Sequence, residues 1–302
     1  TSACYYMHSG LGLQGRPSMG AWASYGLGSE NENLPGYVVL NGGQIPSGGL
    51  DNFSNGFLPA TYRGNLLNVI GTPLANVKPN EKSERAQEIK RRLVNQLNKS
   101  RAGGIDALES AIANHELAAR MQLAIPEVMS LEGETEATKK LYELEHPDIG
   151  SFGRQCLLAR RLAERGVRFV QIYCGAENTT VEKIRPNWDS HEDLPRDHGY
   201  WGPILDSGAS ALLKDLKSRG MLEDTLVICI SEFGRQPASQ GKASKGRDHN
   251  GGGFTTWLAG GGIKPGTTYG ATDELGFKAV DKVTHSYELH ATALHLLGLD
   301  HE

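Results

Sequence analysis

Two polar segments hold the residue types that bind metals and handle anions. NWDSHEDLPRDHG at 187–199 contains Asp189, His191, Asp193, Asp197 and His198. TLVICISEFGR at 225–235 ends with Glu232 and Arg235, and GRDHN at 246–250 contributes Asp248 and His249. Asp189 and His191 are two residues apart, so in extended backbone their side chains point to one side. Carboxylates and imidazoles brought together form a mixed oxygen and nitrogen donor set. Such a set suits zinc, manganese or another divalent ion better than an all-oxygen calcium cage, and it disfavours magnesium. The metal-ligand candidates are Asp189, His191, Glu232, Asp248 and His249. Each piece also has a plainer reading: a turn pair for Asp189 and His191, an ion pair for Glu232 and Arg235, and a Gly-rich turn for RDHNGGG. The three pieces together favour the metal site.

The surrounding pattern says what must position these groups. The first seventy residues are loop-dominated, with a strand expected over 37–41 and a short helix opened by Pro17. Ile89, Leu93 and Leu97, then Leu108, Ile112, Ala119 and Leu123, mark two amphipathic helices around the Gly103–Gly104 break. From residue 150 helix and strand alternate. FGRQCLLARRLAERG stops at Gly166 and leads into the strand VRFVQIYCG; PILDSGASALLKDLKSRG, striped by Leu205, Ala209, Leu212, Leu213 and Leu216, stops at Gly220 and leads into TLVICISEFG. A third strand, FTTWLAGGG, precedes the helix SYELHATALHLLG, which Ser286 can cap. This alternation predicts an α/β fold: a mainly parallel, doubly wound sheet with helices on both faces, in a single domain over 1–302 with a helical insertion at about 80–145. In such sheets functional groups gather beyond the carboxyl ends of the strands, where both polar segments fall.

Composition narrows the partners. A formal charge of −4 over 302 residues gives no electrostatic footprint for nucleic acid, and no apolar run is long enough for a membrane span. Cys4, Cys156, Cys174 and Cys229 lack metal or redox spacing and read as small buried apolar residues. Neither the composition nor the motifs indicate an oligomeric state. GRQPASQGKAS at 234–244 has the wrong glycine spacing for a P-loop, and Ala243 follows Lys242 where a hydroxyl is needed. No G-x-S-x-G or H-E-x-x-H motif occurs.

Longer segments carry a family likeness. PSMGAWASYGLGSENENLPGYVVL, GFLPATYRG, FGRQCLLARRLAERGVRFVQIY, SEFGRQP, GRDHN and ELHATALHLLGLDH resemble the bacterial sulfatase-like proteins of domain-of-unknown-function family 1501, over nearly the whole chain. That family is grouped with the alkaline phosphatase superfamily, whose members hydrolyse or transfer phosphate and sulfate esters with one or two divalent metals. The resemblance implies a hydrolase of small-molecule or glycan esters, exported or periplasmic. It implies Asp189 and His191 as one ligand pair, Glu232 as the strand-end acid, His249 as the later histidine, and Thr1 or Ser2 as nucleophile. Arg235 would clamp an ester oxygen, and His198 would protonate a leaving group or support the site. Two departures stand out. Phe233 follows Glu232 where the superfamily has a histidine, and the Asp-bearing first strand of the family is not found ahead of Thr1, so the fold is expected to lack it. A non-catalytic binding or surface module on the same fold is the alternative.

Overall fold

A computed structural model describes residues 1–74, 83–99, 106–177, 179, 181–239, 241 and 244–301. The chain opens with α1 (Ser2–Ser9) and α2 (Met19–Leu27). Pro17 and Ser18 start the second as the sequence predicts, the Ala21 amide donating to Ser18 Oγ at 3.4 Å. β1 (Tyr37–Asn41) follows, with Tyr37 to Leu40 buried, and β2 (Asn65–Asn68) lies parallel beside it. The helical segment comprises α3 (Glu84–Lys99), α4 (Asp106–Met129) and α5 (Glu136–Leu141). Its packing departs from the periodicity. Ile89, Leu93 and Leu97 of α3 are at least half exposed, while α4 buries Met121, Ile125 and Val128 near its C-terminal end. Among the described residues, α4 joins the core of Leu34, Val38, Leu40, Leu67, Leu158 and Leu162 through its C-terminal half, so burial concentrates there. The Gly103–Gly104 break, Lys242, and the side chains of Leu108 and Leu123 lie outside the described residues.

Next, α6 (Gly150–Glu164) ends where Gly166 takes φ 78°, a left-handed value that glycine adopts without Cβ strain, and the chain enters β3 (Phe169–Gln171). The unit repeats with α7 (Leu194–Ser218), Gly220 and β4 (Val227–Cys229). α7 begins well ahead of Pro203. Asp193 caps it by accepting the Arg196 amide hydrogen at 3.2 Å, and Pro195 suits the first turn, so His198 stands on a helix rather than in a loop. A buried ionic cluster fastens α6 to α7. Arg160 reaches Glu134, Glu164 and Asp215; Arg161 reaches Glu134; and Tyr142 Oη donates to Asp215 at 3.0 Å. Beyond β4 come β5 (Gly234–Ser239), β6 (Arg247–Asn250), β7 (Trp257–Ala259), β8 (Ala271–Thr272), β9 (Ala279–Asp281) and α8 (Ser286–Leu296). Ser286 is the first helical residue of α8 rather than its cap; His285 stands at the cap position, its amide donating to Glu288 at 2.6 Å.

The fold is mixed α/β around a three-stranded parallel sheet in the order β2-β1-β3. The apolar runs at 225–234 and 254–262 become β4 and β7, which pair with each other antiparallel, Ile228 opposite Leu258. An apolar run specifies burial but neither partner nor direction, and that is where the expectation of one parallel sheet parts from the structure. A cavity of about 1720 Å³ is lined by both β3 and β4, and by residues of α1, α2, α6, α7 and α8. Leu205, Ala209, Leu212 and Leu216 line this cavity together with the 225–231 segment. All four cysteines are free thiols, Cys4 and Cys156 buried and the other two half-buried. Among the described residues no helix is long and apolar enough to cross a membrane.

A polarised hydrogen-bond chain ties α1 to the sheet. The Cys4 carbonyl only accepts, so His8 Nδ1, 2.6 Å away, carries the proton, and Nε2 accepts from Tyr173 Oη at 2.7 Å. Gln171 Nε2 donates to Tyr173 Oη, and Tyr37 Oη donates to Gln171 Oε1, both at 2.6 Å. Burial pushes the pKa of His8 down, and does the same to His290, whose Nε2 donates to the Met7 carbonyl. Both stay neutral in the folded protein while the unfolded chain takes up protons below about pH 6.5. Their contribution to stability is therefore intact above that pH and is lost as pH falls through the lowered folded values. The urea midpoint should be lower at about pH 5.5 than at about pH 7.5, and His8→Gln should narrow the gap. Equal gaps in the variant and the parent would show that His8 does not set the dependence.

Candidate metal centre

β5 and β6 form an antiparallel hairpin that sets Arg235 opposite His249. The amides of Lys245 and Arg247 donate to the carbonyls of Glu192 and Ser190 at 3.0 and 3.1 Å, drawing the 189–193 segment alongside. Three donor atoms meet as a result. Asp189 Oδ1 lies 2.9 Å from His191 Nε2 and 2.8 Å from His249 Nε2, and the two nitrogens are 3.1 Å apart. Metal–ligand bonds of about 2.0–2.2 Å put neighbouring ligands about 2.8–3.1 Å apart at right angles and about 3.3–3.6 Å apart at the tetrahedral angle. The triangle has the first set of spacings, one face of a six-coordinate polyhedron built from two imidazoles and one carboxylate. Chemistry agrees with geometry. Two ring nitrogens 3.1 Å apart cannot both present a hydrogen to each other, whereas one cation satisfies all three atoms. The side chains of Asp189, His191 and His249 are 50, 25 and 41% exposed, so solutes reach the triangle.

Supporting contacts fix the ligands. Ser190, between the first two, is fully buried, and its Oγ donates to Asp197 Oδ2 at 2.6 Å. Asp197 Oδ1 accepts the Arg185 amide at 3.3 Å and Arg196 Nε at 2.8 Å. Burial alone would raise the Asp197 carboxyl pKa, but the bonds from Arg196, Ser190 and the Arg185 amide hold it below the usual range. Asp189 follows the same logic: burial pushes it up, and His249, Arg235 and His191 together hold it well below an ordinary carboxylate. Phe233 stacks on His249, with ring centroids 4.0 Å apart at 24°. Gly246 lets the hairpin approach, since a Cβ there would lie 2.0 Å from the His191 carbonyl carbon and 2.4 Å from the Glu192 amide nitrogen. Gly246→Ala should therefore destabilise by about 1–3 kcal/mol through overpacking, and should lower metal affinity because His191 must retreat. A melting temperature and metal affinity equal to those of the parent would show slack at this contact.

The remaining predicted residues take other places. Arg235 Nη2 donates to Asp189 Oδ1 at 2.7 Å and to the Trp188 carbonyl at 3.0 Å, and Nη1 donates to the Arg247 carbonyl at 3.2 Å. His198 Nε2 donates to that same Trp188 carbonyl at 3.0 Å, steadying the backbone before Asp189 without meeting the triangle. Asp248 Oδ1 is 4.0 Å from His191 Nδ1 and accepts the His249 amide at 2.7 Å. Glu232 stands outside the triangle, and its charge is felt by Cys4, His8 and Tyr173. Glu232 lies at a bend ahead of β5, where its Oε2 accepts from Ser231 Oγ at 3.4 Å. Thr1 lines the large cavity together with Asp189, Glu232, Arg235 and His249, and its side chain makes no helix-capping bond. Ser2 is exposed, outside the cavity lining. Sequence reasoning missed Ser190, Asp197, Phe233 and Gly246 as positioning residues. The i, i+2 alternation around Ser190 was the one available signal.

A mixed α/β fold with an exposed Asp–His–His triangle beside a guanidinium defines an α/β protein with a candidate divalent-metal centre. The profile of a family described as a protein of unknown function (DUF1501) matches residues 1–302. The chain belongs to that family. No curated protein and no solved structure matches it.

Proposed function

We propose that the protein is a metal-dependent hydrolase of phosphate or sulfate esters, related to the alkaline phosphatase superfamily and working on small-molecule or glycan esters outside the cytoplasm. The observation that carries this reading is the Asp189–His191–His249 triangle with the Arg235 guanidinium against it. Zinc or manganese fits the donor set, and such an ion, when bound, supplies Lewis acidity toward an ester oxygen and lowers the pKa of a nearby hydroxyl or water. Arg235 offers N–H donors to a non-bridging oxygen. Thr1, on the cavity wall with an uncommitted capping position, is the nucleophile favoured over Ser2. The doubly wound sheet belongs to the same reading. Its support is the alternation of helices with the strands β3 and β4, whose residues line one cavity together with α6 and α7.

A binding module without turnover is the second reading, favoured by the positions of Glu232 and Asp248 off the triangle, which leave three ligands for one ion. Metal content of the purified protein, and hydrolysis of aryl phosphate and aryl sulfate with Zn²⁺, Mn²⁺, Mg²⁺ and Ca²⁺, separate the two. Turnover that needs added Zn²⁺ or Mn²⁺ and vanishes in His249→Ala is expected. Absence of turnover of either ester class, with or without bound metal, would leave the binding module, and absence of bound metal would end the hydrolase reading.

A further inference from the structure

Asp189 Oδ1 is oversubscribed. Three groups converge on this one oxygen: His191 Nε2 at 2.9 Å, His249 Nε2 at 2.8 Å and Arg235 Nη2 at 2.7 Å. A carboxylate has about four lone-pair sites over its two oxygens, so three partners on one oxygen exceed its own share. A cation drawn to the two imidazoles must share that oxygen with the guanidinium or displace it. Arg235 cannot swing far. Its side chain is 16% exposed and is tied to the carbonyls of Trp188 and Arg247, with its guanidinium 5.8 Å from the centre of the Phe233 ring. Two positive centres then stand side by side around one carboxylate, an arrangement that repels until an anion joins them.

We propose that Arg235 makes the binding of a divalent metal and of a tetrahedral dianion, such as phosphate or sulfate, mutually dependent, so that the site takes either partner weakly alone and both tightly together. This rests on the metal-site reading above and adds to it a specific energetic role for one side chain. In the absence of an anion, Arg235 neutralises Asp189 and competes with the metal. When a dianion arrives, its oxygens accept from the guanidinium N–H groups that the two carbonyls leave free, its charge offsets the repulsion between guanidinium and metal, and the half-exposed Asp189 carboxylate turns to the metal. The carbonyl tethers keep the guanidinium in place throughout, which is what lets one residue serve both states. Ester recognition follows directly, because a phosphate or sulfate monoester presents the same non-bridging oxygens as the free dianion. A neutral ester lacks the charge that relieves the repulsion and gains nothing from the metal.

Linkage makes the proposal measurable without turnover, since whatever factor the anion adds to metal affinity the metal must add to anion affinity. Mn²⁺ binding is followed by electron paramagnetic resonance, with and without inorganic phosphate, in the parent protein, Arg235→Gln, Arg235→Lys and His249→Ala. In the parent, phosphate should tighten Mn²⁺ by at least about fivefold, and Mn²⁺ should tighten phosphate by the same factor. Arg235→Gln should bind Mn²⁺ alone more tightly than the parent and lose the phosphate enhancement. Arg235→Lys, which retains the charge and a donor for the Trp188 carbonyl and so guards against a folding defect, should bind Mn²⁺ alone as the parent does, with a reduced enhancement. An enhancement that survives intact in Arg235→Gln, or a parent that binds Mn²⁺ with no response to phosphate, overturns the role of Arg235 while leaving the metal site standing. A parent that binds Mn²⁺ no better than His249→Ala overturns the metal site itself and this inference with it.

Discussion

Asp189→Asn is expected to strip the candidate centre of its metal while leaving the protein folded. The substitution keeps the size and shape of the side chain but removes the negative charge, and Asp189 Oδ1 is the atom on which His191, His249 and Arg235 all converge. Loss of an outer hydrogen bond to a ligand typically costs about 10–100-fold in metal affinity, so loss of the only carboxylate in the triangle should cost more than about 100-fold. The side chain is 50% exposed, and the buried support of its loop comes from Ser190 and Asp197, so the melting temperature should stay close to that of the parent. Metal retained after dialysis, read beside ester turnover, tests the expectation. Parent-like metal content in Asp189→Asn would place the ion elsewhere.

The largest effect on stability is expected from Glu134→Ala. Glu134 accepts from Arg160 Nη2 at 2.7 Å and from Arg161 Nη1, and its side chain and that of Arg160 are 6 and 2% exposed. Removing the carboxylate leaves two buried guanidinium arms short of a partner, a loss of about 3–5 kcal/mol, which is a large share of the stability of an ordinary domain. Glu134→Gln, which keeps one acceptor, should lose less. Acid tests the same contact. Burial would raise the Glu134 carboxyl pKa, but the bonds from Arg160 and Arg161 outweigh it and hold the carboxyl low. The stabilisation is therefore complete above about pH 4.3, the unfolded value, and is lost as pH falls through the lower folded one. A urea midpoint in Glu134→Ala indistinguishable from the parent's would show that Asp215 and Glu164 suffice for Arg160.

Where the sequence was a good guide, the signal was local. Gly166 and Gly220 end α6 and α7 in left-handed conformations that glycine adopts without strain, and the valines of β1 are buried as their run predicts. Asp189 and His191 point one way because a single residue separates them, and the intervening Ser190 goes inward to meet Asp197. What escaped was pairing at a distance. Nothing in TLVICISEFG announces that β4 will run antiparallel to β7, and nothing in GRDHN announces that His249 will stand opposite Arg235 across a hairpin. Glu232 shows how far one residue matters: its neighbour Phe233 stacks on His249, whereas the Glu232 carboxylate stands outside the triangle. The early start of α7 depends on Asp193 as its cap, ahead of the PILDSG run that marked the helix in the sequence.

The cavity between β3 and β4 decides which backbone amides are slow to exchange with deuterium. In an α/β sheet the middle strands normally release their amide hydrogens only when the whole domain opens. Here, among the described residues, β3 and β4 each have a strand on one side only and residues that line the cavity, whereas β1 is paired on both sides and its Val38 and Val39 are fully buried. Amides on the strand edges of β3 and β4 without a strand partner are expected to exchange faster than those of β1. The slow-exchanging part of the molecule is then β1 with the helices packed on it. Asp189, Arg235 and His249 border the same cavity, so the metal centre sits beside the faster-exchanging part rather than on β1.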